Sequence, residues 1–323
     1  MVGDSQRHLT IGISSRALFD LNAENQVFEI QGLEAYRKYQ IEHEDEPLKP
    51  GTGFPLVKAI LALNKPKRRQ SEVVVMSRNN GDTTLRIFNS LRHYGLGIEK
   101  AALTSGARLA KYLRAYNVDL FLSRSAEDVA DALEAEVAAG LIYDAPADLT
   151  IEVGQIRIAF DGDAVLFSDE AQRIYEEQGL DAFFRHEQDN VRKPLPDGPF
   201  AKLLRVISHV QSEADGEPAP IRTALVTSRN CPAHERVIRT LRAWNVRIDE
   251  MFFLGNLPKH EILKAFGAHI FFDDQAKHCE AAATVVPTAM VPSVTEERPI
   301  PKPPRREESA TPAATLLDTA LSR

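Results

Sequence analysis

Short apolar runs, each closed by a polar or charged residue, recur along the second half of this chain. Ile156 to Phe160 reads as a buried strand that ends in Asp161, Gly162 and Asp163. Ile221 to Val226 reads as a second strand, closed by Thr227, Ser228 and Arg229. Met251 to Leu254 and His269 to Phe272 are further runs. Lys259 follows the first of them and opens a helical stretch to Phe266; Asp273 and Asp274 close the second. Between Glu170 and Asp189, apolar residues at Ile174, Leu180, Phe183 and Phe184 predict a helical insert. Strands alternating with helices predict an α/β fold, a parallel sheet covered by helices.

The first half repeats this pattern in diverged form. Gln31-Gly32-Leu33-Glu34-Ala35-Tyr36 matches Gln178-Gly179-Leu180-Asp181-Ala182-Phe183, and the same register lays Ser14-Ser15-Arg16 on Asp161-Gly162-Asp163. Val75-Met76-Ser77-Arg78 aligns with Val226-Thr227-Ser228-Arg229, and Leu120-Phe121-Leu122-Ser123-Arg124 with Ile270-Phe271-Phe272-Asp273-Asp274. An internal duplication therefore predicts two similar Rossmann-like halves. We expect the first half at residues 1–150, a second half at 151–286 with its insert at about 168–210, and a tail at 287–323. The tail is rich in Pro and charge and is expected to be extended or disordered.

Chemistry is expected where the strands end, because ligands of open α/β sheets bind beyond the carboxyl ends of strands. A carboxylate pair there can hold a divalent cation while one member attacks phosphorus. Asp161 with Asp163 fits that role, but Asp-x-Asp also occurs in glycosyltransferases, calcium loops and plain turns. The Thr227 hydroxyl can hold a phosphate oxygen and the Lys259 ammonium can neutralise a phosphoryl group. In the first half the four acidic positions Asp161, Asp163, Asp273 and Asp274 become Ser14, Arg16, Ser123 and Arg124. That half is expected to be catalytically silent. Arg16, Arg78 and Arg124 suit an anion such as the phosphate of a nucleotide effector, or else form ion pairs within a half kept for packing.

The series Asp-x-Asp, Thr, Lys, Asp-Asp resembles the four-motif signature of the haloacid dehalogenase superfamily of phosphotransferases. The wording from Ala159 to Glu170 is similar to the cytosolic type I 5'-nucleotidases, as are Gln178 to Asp181, Leu225 to Arg229, Ile270 to Gln275, Ile13 to Asp20 and His43 to Gly51. The resemblance implies two tandem haloacid-dehalogenase-type halves, the first degenerate, and a Mg²⁺-dependent phosphoric monoester hydrolase acting on nucleoside 5'-monophosphates such as AMP. It implies Asp161 as nucleophile and Asp163 as general acid and base, with Thr227 and Lys259 completing the phosphate cradle. Mg²⁺ would be held by Asp161, the Asp163 backbone carbonyl and Asp273, with Asp274 as a further ligand or an outer acceptor. Arg229, Phe183, Phe184 and His186 are candidate substrate contacts, with Tyr175 and Asp169 beside them; core packing is the competing reading for the aromatics. A phosphatase of another small phosphomonoester and a non-catalytic nucleotide sensor are the alternatives.

Composition narrows the choice of partners. The 39 basic and 46 acidic residues leave a formal net charge of −7, which argues against a general nucleic-acid binder. No apolar run reaches the length of a membrane span, and the amino terminus has no apolar signal core, so a cytoplasmic protein is expected. Only two cysteines, Cys231 and Cys279, are present, without the spacing of a zinc site.

Overall fold

The computed structural model describes residues 8–66, 68–146, 154–213 and 219–293. Ten strands form one sheet and two short ones a separate pair. The first half supplies β1 (Leu9–Ser14), the small pair β2 (Phe19–Asp20) and β3 (Lys49–Pro50), then β4 (Ser71–Ser77), β5 (Lys100–Leu103), β6 (Leu120–Ser123) and β7 (Ala138–Ile142). The second half supplies β8 (Ile156–Phe160), β9 (Ile221–Thr227), β10 (Glu250–Phe253), β11 (Ile270–Asp273) and β12 (Thr288–Met290). Their order across the large sheet is β10-β9-β8-β11-β12-β7-β6-β1-β4-β5. Both faces are covered by helices, so central strands such as β4, Ser-Glu-Val-Val-Val-Met-Ser, are buried at every position.

The two halves meet at β7 and β12, which pair antiparallel through Ala289 with Ile142 and Met290 with Leu141; every other neighbouring pair in the sheet is parallel. Strand order runs identically inward from either rim, so the halves are related by a pseudo-twofold axis at this seam. The carboxyl ends of their strands consequently face opposite edges. One hydrophobic cluster runs through both halves. The helix Phe54–Leu61 packs on β4 and reaches β8, while Ala201–Ser212 packs on β9 and reaches β1.

The duplication extends to matching hydrogen bonds. Arg86 Nε donates to Glu46 O at 2.9 Å where Arg236 Nε donates to Lys193 O at 3.0 Å. Gly32 (φ 83°) and Gly179 (φ 82°) break their insert helices at equivalent points, a conformation open to Gly because it lacks Cβ. The structure moves one part of the expected alignment by a residue. Asn79 N–H donates to Ser77 Oγ at 3.1 Å as Arg229 N–H donates to Thr227 Oγ1 at 3.2 Å, so Ser77 stands in for Thr227 and Asn79 for Arg229. The sequence match had favoured the Ser-Arg dipeptide, whereas ladder position is set by strand pairing.

Two expected boundaries also move. The insert contains the helices Glu170–Gln178 and Leu180–Asp189, but a bridge between Phe167 and Asp197 returns the chain to the core, so Ala201–Ser212 is a covering helix of the sheet. Its apolar face, including Leu203, Leu204 and Ile207, is buried. β12 lies past Pro287, inside the expected tail, because Thr288, Ala289 and Met290 are buried against β7 and β11. The rest of that tail, from residue 294, lies outside the described residues.

Gly140 sits in β7 at the seam, where a Cβ would stand 2.8 Å from the Ala289 Cβ and 3.2 Å from the Phe272 ring. Gly140→Ala should cost about 1–3 kcal/mol by overpacking, read as a lower urea midpoint; an unchanged midpoint would show that the seam yields freely.

Candidate active site

Where β8 ends, Asp161 N–H still donates to Phe272 O at 2.8 Å, so the carboxylate is carried on the last rung of the sheet, between β9 and β11. The chain then turns tightly through Gly162–Leu166, with Ala164 at φ 59°. A Cβ on Gly162 would sit 3.2 Å from Thr227 Oγ1, which shows how closely the turn passes the end of β9. β11 delivers Asp273, fully buried, followed by Asp274. The helix Lys259–Phe266 begins where the sequence predicts and brings its first side chain into the same place.

Lys259 Nζ donates to Asp161 Oδ1 and to Asp273 Oδ2, both at 2.7 Å. Asp161, Asp273 and Asp274 each present an oxygen within 4.8 Å of the others. Burial pushes the Asp161 carboxyl up to about 6 even though Lys259 opposes the rise. Asp274 is pushed up to about 8 by burial and by the neighbouring Asp161 and Asp273. Burial also acts to raise Asp273, but Lys259 and His278 outweigh it and hold this carboxyl below the usual range. Lys259 in turn is raised, its two carboxylates overcoming the cost of burial.

Three carboxylates thus share one ammonium, so full ionisation would leave an excess of two negative charges, which the raised Asp161 and Asp274 carboxyls resist. Among the described residues, Asp274 Oδ1 is buried without a hydrogen-bond partner. An all-oxygen set with that deficit and a spare buried acceptor fits a hard divalent cation.

The Asp163 side chain is not part of this cluster. Arg229 binds it through two hydrogen bonds, Nε to Oδ2 at 2.8 Å and Nη2 to Oδ1 at 2.6 Å, while Arg229 Nη1 donates to Glu187 Oε2 at 2.5 Å. Arg236 Nη1 donates to the other Glu187 oxygen at 2.8 Å. All three groups of this Arg-Glu-Arg set are buried. Arg229, expected as a substrate contact, is therefore directed at two protein carboxylates, which raise its pKa against burial. His186 Nε2 lies 3.3 Å from Arg236 Nη1. Phe183 packs with Ala171, Ala233 and Phe184 and lies beneath the Arg229 guanidinium, 5.4 Å from its ring centroid. Tyr175 is exposed, and Asp169 pairs with Arg173 at 3.4 Å.

Glu187 and Arg236 escaped the sequence reading. Their signal was weak but present: Glu187 lies one helical turn beyond Phe183, on the face that the insert turns inward.

Parallel strands that carry a buried aspartate cluster and a lysine to one sheet edge make a mixed α/β fold consistent with a Rossmann-type fold of the haloacid-dehalogenase kind. A family model described as 5'-nucleotidase matches residues 1–298. The chain is 39% identical over 286 residues to human cytosolic 5'-nucleotidase 1B, covering 85% of this chain and 47% of that protein. It belongs to the 5'-nucleotidase family. The chain spans about half the length of that curated relative. Among the described residues no helix is long and apolar enough to cross a membrane.

Glu187→Gln would leave Arg229 and Arg236 short of a buried counter-charge. We expect a loss of about 3 kcal/mol in chemical denaturation, together with release of Asp163 from its fixed orientation; a loss below about 0.5 kcal/mol would show that the network relaxes without it.

Proposed function

We propose that this chain is a divalent-cation-dependent 5'-nucleotidase, hydrolysing nucleoside 5'-monophosphates, AMP first among them, to nucleoside and phosphate. The supporting observation is the placement of Asp161 on the last rung of β8, with Lys259 at 2.7 Å and Asp273 and Asp274 beside it. The human relative's name, cytosolic 5'-nucleotidase 1B, supports the substrate class and a cytosolic setting. With Ser14, Arg16, Ser123 and Arg124 at the equivalent strand ends, the first half takes no part in the chemistry.

Asp161, with its carboxyl at about 6, is ionised at neutral pH and attacks phosphorus in line. A P–O bond to Asp161 forms as the bond to the ribose 5'-oxygen breaks, and Asp163 delivers a proton to that leaving oxygen. Water then attacks the aspartyl-phosphate, giving its proton to Asp163 and freeing Asp161. Arg229 holds both Asp163 oxygens, so Asp163 must turn from this pair to reach the leaving oxygen. Thr227 and Lys259 position the phosphoryl oxygens. A cation such as Mg²⁺, bound by Asp161, Asp273 and Asp274 with the Asp163 carbonyl, would offset charge on those oxygens.

Phosphate release from nucleoside monophosphates and sugar phosphates, with Mg²⁺ and with EDTA, tests this reading. Metal-dependent release favouring nucleotides is expected, abolished in Asp161→Asn and lowered about 10²- to 10⁴-fold in Asp163→Asn. Preference for sugar phosphates would move the assignment to another phosphomonoesterase; no release from any compound would favour a non-catalytic sensor.

Burial also makes a pH signature. The folded pKa values of Asp161 and Asp274 lie above those of unfolded carboxylates, so their contribution to stability is complete below about pH 4 and fades as pH rises through about 6 and 8. In EDTA the unfolding temperature should therefore fall between pH 5.5 and 8.5, less steeply in Asp274→Asn, and Mg²⁺ should restore it most at the alkaline end. A flat profile in EDTA would refute the charge crowding.

A further inference from the structure

A cavity of about 660 Å³ lies in the first half, at the strand ends equivalent to the candidate active site. Ser14 closes β1, Ser77 closes β4 and Ser123 closes β6, at the positions held in the second half by Asp161, Thr227 and Asp273. Arg16 and Arg124 replace Asp163 and Asp274, and the buried Leu109 stands where Lys259 would be. The acceptors that would hold a cation have become donors. Ser14 Oγ accepts from Ala17 N–H at 3.3 Å and Ser123 Oγ from Ser125 N–H at 3.1 Å, which leaves both hydroxyl protons for another partner.

The charges around this cavity are paired except for one. Arg124 Nη1 donates to Asp144 at 2.5 Å, Arg78 pairs with Glu127 at 3.0 Å and with Asp128, and Glu24 pairs with Arg86 at 2.8 Å. Arg16 lines the cavity and makes no hydrogen bond or ion pair among the described residues. Partial burial and the neighbouring Arg124 lower its pKa, opposed only in part by Glu29 and Tyr36. Apolar and aromatic residues, Leu21, Phe28, Leu33 and Tyr36, also line the cavity. Phe28 is 47% exposed and meets Tyr36 edge to face at 6.0 Å between centroids. The Tyr36 oxygen accepts from Gln40 at 3.0 Å and from Asn79 at 3.3 Å, so its own proton also points elsewhere.

We propose that this cavity is a second, metal-independent binding site for a phosphomonoester bearing a flat apolar group, a ligand of nucleotide size. The phosphate lies on Arg16, with the Ser14 and Ser123 hydroxyls as further donors and Arg124 behind it; the flat group rests on Phe28 and Tyr36. A cavity of this volume is in the range that encloses such a ligand. The ligand is bound and not hydrolysed, since no carboxylate stands at the nucleophile position. The site lies on the sheet edge opposite Asp161 and does not depend on the catalytic assignment.

The test is calorimetric binding of AMP and of inorganic phosphate to the full chain in EDTA, with hydrogen–deuterium exchange to locate each ligand. AMP should bind without divalent cation and slow exchange across residues 14–36 and 123–128. Arg16→Ala should weaken that binding about tenfold or more and Arg16→Lys less; Phe28→Ala should weaken AMP but not phosphate. Because Arg16 is only partly buried and makes no ion pair among the described residues, the unfolding midpoint of Arg16→Ala should match the wild type. Absence of AMP binding in EDTA, protection confined to residues 161–187, or unchanged affinity in Arg16→Ala with either ligand would each overturn the proposal. Loss of phosphate release in Asp161→Asn with binding at 14–36 intact would separate this site from the catalytic one.

Discussion

Two residue pairs hold the seam between β7 and β12, and their antiparallel sense governs much of the molecule. Had the strands met in parallel, both halves would open toward one edge. Meeting head to tail, they place their strand ends on opposite edges and bury their apolar faces in one shared core. Gly140 allows the close approach, since Ala289 and the Phe272 ring occupy the space a side chain would need. Phe272 in turn stacks on Phe160 at 5.7 Å, the residue immediately before Asp161, so packing at the seam is continuous with the support of the site.

At the second half's edge, electrostatics takes over from packing. Burying Asp161, Asp273 and Asp274 around one lysine is costly in isolation, because each carboxylate loses water and gains a like-charged neighbour. Lys259 relieves two of them, and the remaining deficit is what a divalent cation answers. The Arg229-Glu187-Arg236 set forms a separate, balanced unit with Asp163. Its effect is to hold Asp163 apart from the cluster, so that, in the proposed mechanism, Asp163 and the cluster carboxylates would not compete for one counter-charge.

The same scaffold supports the opposite electrostatics in the first half. Helix breaks, backbone anchors and strand register are kept, as the matched Arg86 and Arg236 contacts show. Exchange of a few strand-end residues converts acceptors into donors and a negative field into a positive one. Architecture and site chemistry are thus separable here, because the sheet fixes only where a side chain emerges, while its atoms decide the charge that it attracts.

What the sequence determined by itself was local: apolar runs that make strands, the residues that close them, and a repeat visible in Gln31 to Tyr36 and Gln178 to Phe183. Those features are carried by neighbouring residues and survive without knowledge of the fold. Tertiary structure decided what depends on distance through space. It made Ser77, not Met76, the equivalent of Thr227 by strand pairing. It paired Arg229 with Asp163, and it brought Glu187 and Arg236 together from separate helices. The opposed edges follow from the seam, whose antiparallel sense is written in no single segment, since it arises only when two distant strands meet.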